Sequence, residues 1–130
     1  MSMVDLACII DDDQIYVFGL RKLIDFHKYS KNLLVFKNGA EAIKYMKPLI
    51  TSSDELPDVI LLDINMPVMD GWQFLDEFVK IKPLIKKKIT IYMVSSSIDE
   101  ADLERAKTYE EVSDFIVKPV KAEDLEKMLS

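Results

Sequence analysis

Four polar clusters in this 130-residue chain each follow directly on an apolar run. Asp11-Asp12-Asp13 follows Leu6-Ala7-Cys8-Ile9-Ile10, and Asp63 follows Val59-Ile60-Leu61-Leu62. Ser95-Ser96-Ser97 follows the run that ends in Val94, and Lys118-Pro119 follows Phe115-Ile116-Val117. A charge at the end of a buried run loses hydration unless a partner there compensates it. Carboxylates brought together raise one another's pKa or bind a cation. A lysine pairs with carboxylate or phosphate as a compact point charge, and a serine hydroxyl hydrogen-bonds an anionic oxygen. The chemistry therefore depends on whether the fold brings these clusters together.

The elements that carry them alternate. Apolar runs predict strands over Leu6–Ile10, Asn32–Phe36, Val59–Leu62, Ile89–Val94 and Phe115–Val117. Between them the spacing predicts helices from Gln14 to about Lys28, over Gly39–Ile50, from Asp70 to about Ile81 and from Asp99 to about Tyr109. Lys121–Leu129 closes the chain as a fifth helix. The first helix carries Ile15, Phe18, Leu23, Ile24 and Phe26 at mainly helical intervals; the second turns Ala42, Ile43, Met46 and Leu49 inward. The fourth is polar, with few large apolar residues. Asp13 is expected to cap the first helix. Strand runs without alternation point to burial on both faces, as in a parallel sheet covered by helices. The expected fold is α/β: a single doubly wound five-stranded parallel sheet in the flavodoxin-like order 2-1-3-4-5, with helices on both faces. In such a sheet the site lies beyond the carboxyl ends of the strands, at the switch point beside strand 1.

That order makes strands 1 and 3 neighbours, so Asp11, Asp12 and Asp63 should crowd one another. Hard oxygen ligands of this kind suit Mg²⁺. Three carboxylates, Lys118 and Mg²⁺ sum to zero charge, which lets an anionic phosphoryl donor approach Asp63. A carboxylate is a competent phosphoryl acceptor. The site reads as a metal-assisted phosphoryl acceptor, with the protein mainly positioning and neutralising.

The set "IIDDD", "DVILLDINMPVMDG", "MVSSS" and "DFIVKP" resembles the response regulator receiver domain of two-component signalling, in order and on the expected strands. The resemblance covers the chain from Ala7 to Leu129 and implies one receiver domain over residues 1–130, with no effector domain in the chain. It implies that Asp63 takes a phosphoryl group from a histidine kinase or histidine phosphotransfer protein, and that Asp11, Asp12 and Asp63 hold Mg²⁺ with the backbone carbonyl of Asn65. It makes Ser95 the switch hydroxyl, Phe115 the switch aromatic and Lys118 the phosphate-pairing lysine. Phosphorylation would then remodel the surface of helix 4, strand 5 and helix 5, to be read by a protein target. Such a domain is a signalling switch rather than an enzyme, catalysing only its own phosphorylation and slow dephosphorylation. Ser95 stands where threonine is commoner in the family, Ser96 where alanine is usual, and Asp114 where a small residue is frequent.

Composition agrees with a globular domain, and the net charge of −6 argues against direct nucleic-acid binding, which needs a basic footprint. No segment approaches the length of a membrane span. The N-terminus lacks a basic leader, and the one cysteine, Cys8, lies in a core strand; both point to the cytoplasm. The one histidine, His27, falls at the far end of the first helix and is expected at the surface. Three other functions compete. A haloacid-dehalogenase-like phosphatase needs a second aspartate two residues after its nucleophile, where Asn65 stands, and a substrate cap. A flavodoxin-like FMN carrier needs phosphate-binding groups after strand 1, where Asp11-Asp12-Asp13 repels phosphate. A docking-only receiver would not need every chemically required side chain to be present.

Overall fold

The computed structural model describes residues 4–97 and 99–129. Strands β1 (Val4–Ile10), β2 (Ser30–Phe36), β3 (Val59–Asp63), β4 (Thr90–Ser95) and β5 (Val112–Val117) alternate with helices α1 (Gln14–His27), α2 (Gly39–Met46), α3 (Gly71–Ile81), α4 (Glu100–Lys107) and α5 (Ala122–Leu129). The strands form one sheet in the order β2-β1-β3-β4-β5, and every pairing is parallel. This is the doubly wound α/β fold and the order expected from the alternation.

Alternate strand residues feed two cores. Cys8, Ile10, Ile60, Leu62, Ile91 and Met93 face a layer built by α2, α3 and α4, where Phe74, Leu75 and Phe78 are buried. Ala7, Ile9, Val59, Leu61 and Val94 face α1 and α5 through Val17, Leu20, Ile24, Leu125 and Leu129. β3 lies between its neighbours with all five residues buried, which explains its unbroken apolar run.

Helix starts are set by side chains. Asp13 accepts the Tyr16 amide at 3.1 Å, Asn38 the Glu41 amide at 3.0 Å and Asp99 the Ala101 amide at 2.8 Å. Asp70 and Gln73 form a reciprocal capping box at the start of α3.

Three expectations shift. α2 stops at Met46, and a 3₁₀ turn over Lys47–Leu49 carries Pro48, whose missing N–H cannot continue the α ladder. β5 begins three residues early: its polar Ser113 and Asp114 lie on the sheet's edge, with a register irregularity opposite Ile91 and Tyr92. On α1 the buried face is Val17, Leu20 and Ile24, so Ile15, Phe18 and Phe26 point to solvent, Ile15 being 87% exposed.

Candidate functional site

Among the described residues, the buried polar or charged ones are Asp11, Asp63 and Ser95, at 4%, 7% and 2% exposure. All three lie at the carboxyl ends of the central strands β1, β3 and β4. Burying a carboxylate is costly unless it is paired, and here the pairing arrives from the β5–α5 connection. The Lys118 ammonium stands 2.9 Å from Asp11 Oδ2 and 3.7 Å from Asp63 Oδ1. Lys118 is held by its own backbone, whose N–H donates to the Ser95 carbonyl at 2.7 Å. The following Lys118–Pro119 peptide is cis.

Asp11 also accepts the Asp13 amide at 2.9 Å, which orients its carboxylate, while Asp12 is exposed at the mouth. One oxygen each from Asp11, Asp12 and Asp63 lie within 4.8 Å of one another. Hard, anionic donors so closely spaced fit a divalent cation that takes oxygen ligands. Burial, and then the neighbouring Asp11 carboxylate, push the Asp63 carboxyl up to about 6 against the pull of Lys118. Burial also raises Asp11 above the usual carboxylate range, although the Lys118 and Asp13 hydrogen bonds oppose it. Burial would lower Lys118, but the hydrogen bond to Asp11 and the charges of Asp11 and Asp63 outweigh it and raise the ammonium's pKa. The cluster thus has a charge deficit that a cation would relieve.

Asp63 begins the link to α3. Gly71 donates its N–H to the Ile64 carbonyl at 2.8 Å, and a Cβ at Gly71 would lie 2.5 Å from the Asp63 carbonyl oxygen. Only glycine lets the helix start this close to Asp63. Val68, in the preceding loop, sits at φ 67, the left-handed region that a β-branched residue enters only under strain.

The structure brings Asp11, Asp12, Asp63 and Lys118 together, and places Ser95 at the end of β4, one residue beyond Val94, which pairs with Asp63. The Ser95 hydroxyl accepts the Ser97 amide at 3.3 Å. Asn65 is exposed in the loop after β3. Phe115 stands apart from the acidic cluster, half-buried against the α2–α3–α4 core, beside a cleft of about 170 Å³ lined also by Leu103, Ala106 and Val112. Its amide donates to the Asp114 side chain at 2.8 Å. His27 closes α1 at the opposite end, stacked on Tyr29. In the basic segment after α3, Lys82 pairs with Glu111 and Lys87 with Asp58, and the Lys87 ammonium also donates to the Leu56 carbonyl.

Two features escaped the sequence. Tyr16 lies against Lys118, whose nitrogen is 4.3 Å from the ring centroid. Its place one turn inside α1 was the available signal, because a helix capped by Asp13 turns that position back over the end of β1. Trp72, at the start of α3, is buried, carries the Arg105 guanidinium 4.7 Å from its ring centroid and stacks on Tyr109. No local pattern in the polar α4 segment announces that contact.

The model of the response regulator receiver domain family matches residues 7–130. Among curated relatives, the chain is 34% identical over 113 residues to a protein-glutamate methylesterase/protein-glutamine glutaminase of Burkholderia thailandensis, covering 85% of this chain and 28% of that protein. It is 33% identical over 93 residues to the sensor histidine kinase CheAY of Helicobacter pylori, covering 72% of this chain and 11% of that protein. The chain therefore spans less than a third of the length of either. A two component response regulator from Cytophaga hutchinsonii superimposes with a TM-score of 0.87 at 28% identity, covering 98% of this chain and 95% of that one. No helix among the described residues is long and apolar enough to cross a membrane. With a family match over all but the first six residues, on a fold that superimposes nearly end to end, this chain belongs to the response regulator receiver domains.

Proposed function

We propose that this protein, read as a single receiver domain over residues 1–130, is a phospho-acceptor switch in a two-component phosphorelay, with Asp63 the acceptor. The observation that carries the reading is the Lys118 ammonium lying between Asp11 and Asp63 where three carboxylates converge. An Asp63 carboxylate oxygen attacks the phosphorus of a phosphohistidine on a histidine kinase or phosphotransfer protein. The P–O bond forms as the P–N bond breaks, and the leaving imidazole takes up a proton. Asp11, Asp12, Asp63 and the Asn65 backbone carbonyl would hold Mg²⁺, which when bound neutralises charge on the transferring group. Lys118 pairs with a phosphoryl oxygen and Ser95 donates its hydroxyl to another. The exposed Ile15 and Phe18, at the pocket end of α1, give the donor protein an apolar foothold beside the acceptor.

The readout runs through β4 and β5. As Ser95 draws toward the phosphoryl group, Phe115 moves within its cleft and the α4–β5–α5 face is remodelled for a protein target. In this reading the chain performs no chemistry beyond its own phosphorylation and slow dephosphorylation, binds no nucleic acid itself and works in the cytoplasm.

Incubation with acetyl phosphate and Mg²⁺ tests the assignment. Intact-mass analysis should show one added phosphate that is absent in Asp63→Asn. Retention of the phosphate in that variant rejects Asp63 as the acceptor.

A further inference from the structure

Among the described residues, Lys118 is the cation paired with the acidic cluster, and the cluster's proposed work depends on where that ammonium points. A lysine carries its charge on a flexible four-carbon stem with three rotatable donors. Asp11 at 2.9 Å and Asp63 at 3.7 Å account for two directions. The third is closed by Tyr16, with the Lys118 nitrogen 4.3 Å from the ring centroid, well inside the range of a cation–π contact.

The ring is anchored independently of the lysine. Tyr16 packs against the α1–α5 core that contains Ile9, Val120 and Leu125. Its hydroxyl is buried and has no hydrogen-bond partner among the described residues. A buried tyrosine usually has its hydroxyl bonded, so the polar end is not what places this side chain. The aromatic face is the part in use.

We propose that Tyr16 is a positioning residue for phosphoryl transfer, its ring holding the Lys118 ammonium over Asp11 and Asp63. This rests on Asp63 being the phosphoryl acceptor. When the acceptor carboxylate becomes an acyl phosphate, Lys118 loses part of its attraction to that oxygen and must turn to the phosphoryl oxygens. The ring leaves it little room to turn elsewhere, so the entropy cost of fixing the stem is met before the donor arrives.

Three proteins and a cycle test this. Autophosphorylation by acetyl phosphate with Mg²⁺ is followed in wild type, Tyr16→Phe and Tyr16→Leu, with Tyr16→Met in place of the leucine variant if that one unfolds. Phenylalanine keeps the ring and should stay within about twofold of wild type, whereas loss of the ring should slow phosphorylation about tenfold. In a Lys118→Ala background the same Tyr16→Leu change should cost less than about twofold, because the partner it positions is gone. A full-size loss in that background, a wild-type rate in Tyr16→Leu, or an equal loss in Tyr16→Phe overturns the proposal. A second readout needs no phosphate: the Lys118 ε-methylene protons should be shifted upfield by the ring in wild type and Tyr16→Phe, and not in Tyr16→Leu. Unshifted protons in wild type overturn the placement. Wild type that shows the shift but takes up no phosphoryl group sinks the acceptor reading instead.

Discussion

On one side of the sheet's carboxyl edge, β1 and β3 bury Asp11 and Asp63 over a dense apolar layer; on the other, α4 rests on the sheet with Ala106 as its buried residue. What else holds α4 is polar or aromatic. Arg105 lies over Trp72, Tyr109 stacks on the same indole, and the Tyr109 hydroxyl donates to Asp76 at 2.7 Å. The first side keeps charged groups at fixed spacing, which a metal and a transferring group require. The second is fastened by a few partly exposed contacts, so a small displacement at the strand ends can move it without unfolding the domain. The proposed switch would use both: a site too rigid to relax around its own charge and a surface loose enough to answer.

Truncation is the strongest way to break this contrast. Leu61→Ala, buried on the face of β3 that it shares with Asp63, should cost about 3–4 kcal/mol in urea unfolding, and Leu103→Ala, on half-buried α4, about 1 kcal/mol. Equal costs would mean that the two sides are packed alike.

Charge gives the next test. The folded-state pKa of Asp63, about 6, lies above its unfolded value. Between about pH 4 and pH 6 the folded protein keeps a proton that the unfolded chain has released, so stability falls as pH rises through that window. Asp63→Asn removes the penalty. In the absence of metal it should be more stable than wild type above pH 6 by about 2 kcal/mol, less than the full shift because the pocket mouth admits solvent. The gain should vanish below about pH 4, and Mg²⁺ should stabilise wild type far more than the variant. A gain that stays the same at pH 4 and pH 7 would mean that charge is not its source.

The smallest effect sharpens the loose side. Tyr109→Phe deletes the hydroxyl's bond to Asp76 and should lower global stability by only about 0.5–1 kcal/mol. Its mark should be local: amide exchange should speed up in α4 and stay unchanged in β1 and β3. Uniform acceleration would place Tyr109 in the common core instead.

Much of this was legible before folding was considered. The apolar runs ending in Asp11, Asp63, Ser95 and Lys118 marked a parallel sheet and the edge where a site belongs, and right-handed crossovers left few strand orders, of which 2-1-3-4-5 is the one expected and observed. Legibility failed where a residue's face depends on its neighbours. Ile15, Phe18 and Phe26 look like a packing stripe, yet α1 lays Val17, Leu20 and Ile24 on the sheet. Ser113 and Asp114 look like a loop because an edge strand can be polar. Trp72 is buried and carries Arg105, a contact that its own segment does not mark.

The amino-acid sequence alone determined the alternation of strands and helices, the caps that start them and the identities of the groups at the strand ends, since each depends on side chains a few residues apart. Tertiary structure alone decided that Lys118 reaches Asp11 and Asp63, that Tyr16 closes the lysine's third side, and that Trp72 carries α4. Those contacts join distant segments, and their geometry comes from how helices settle on a twisted sheet, which no local pattern encodes.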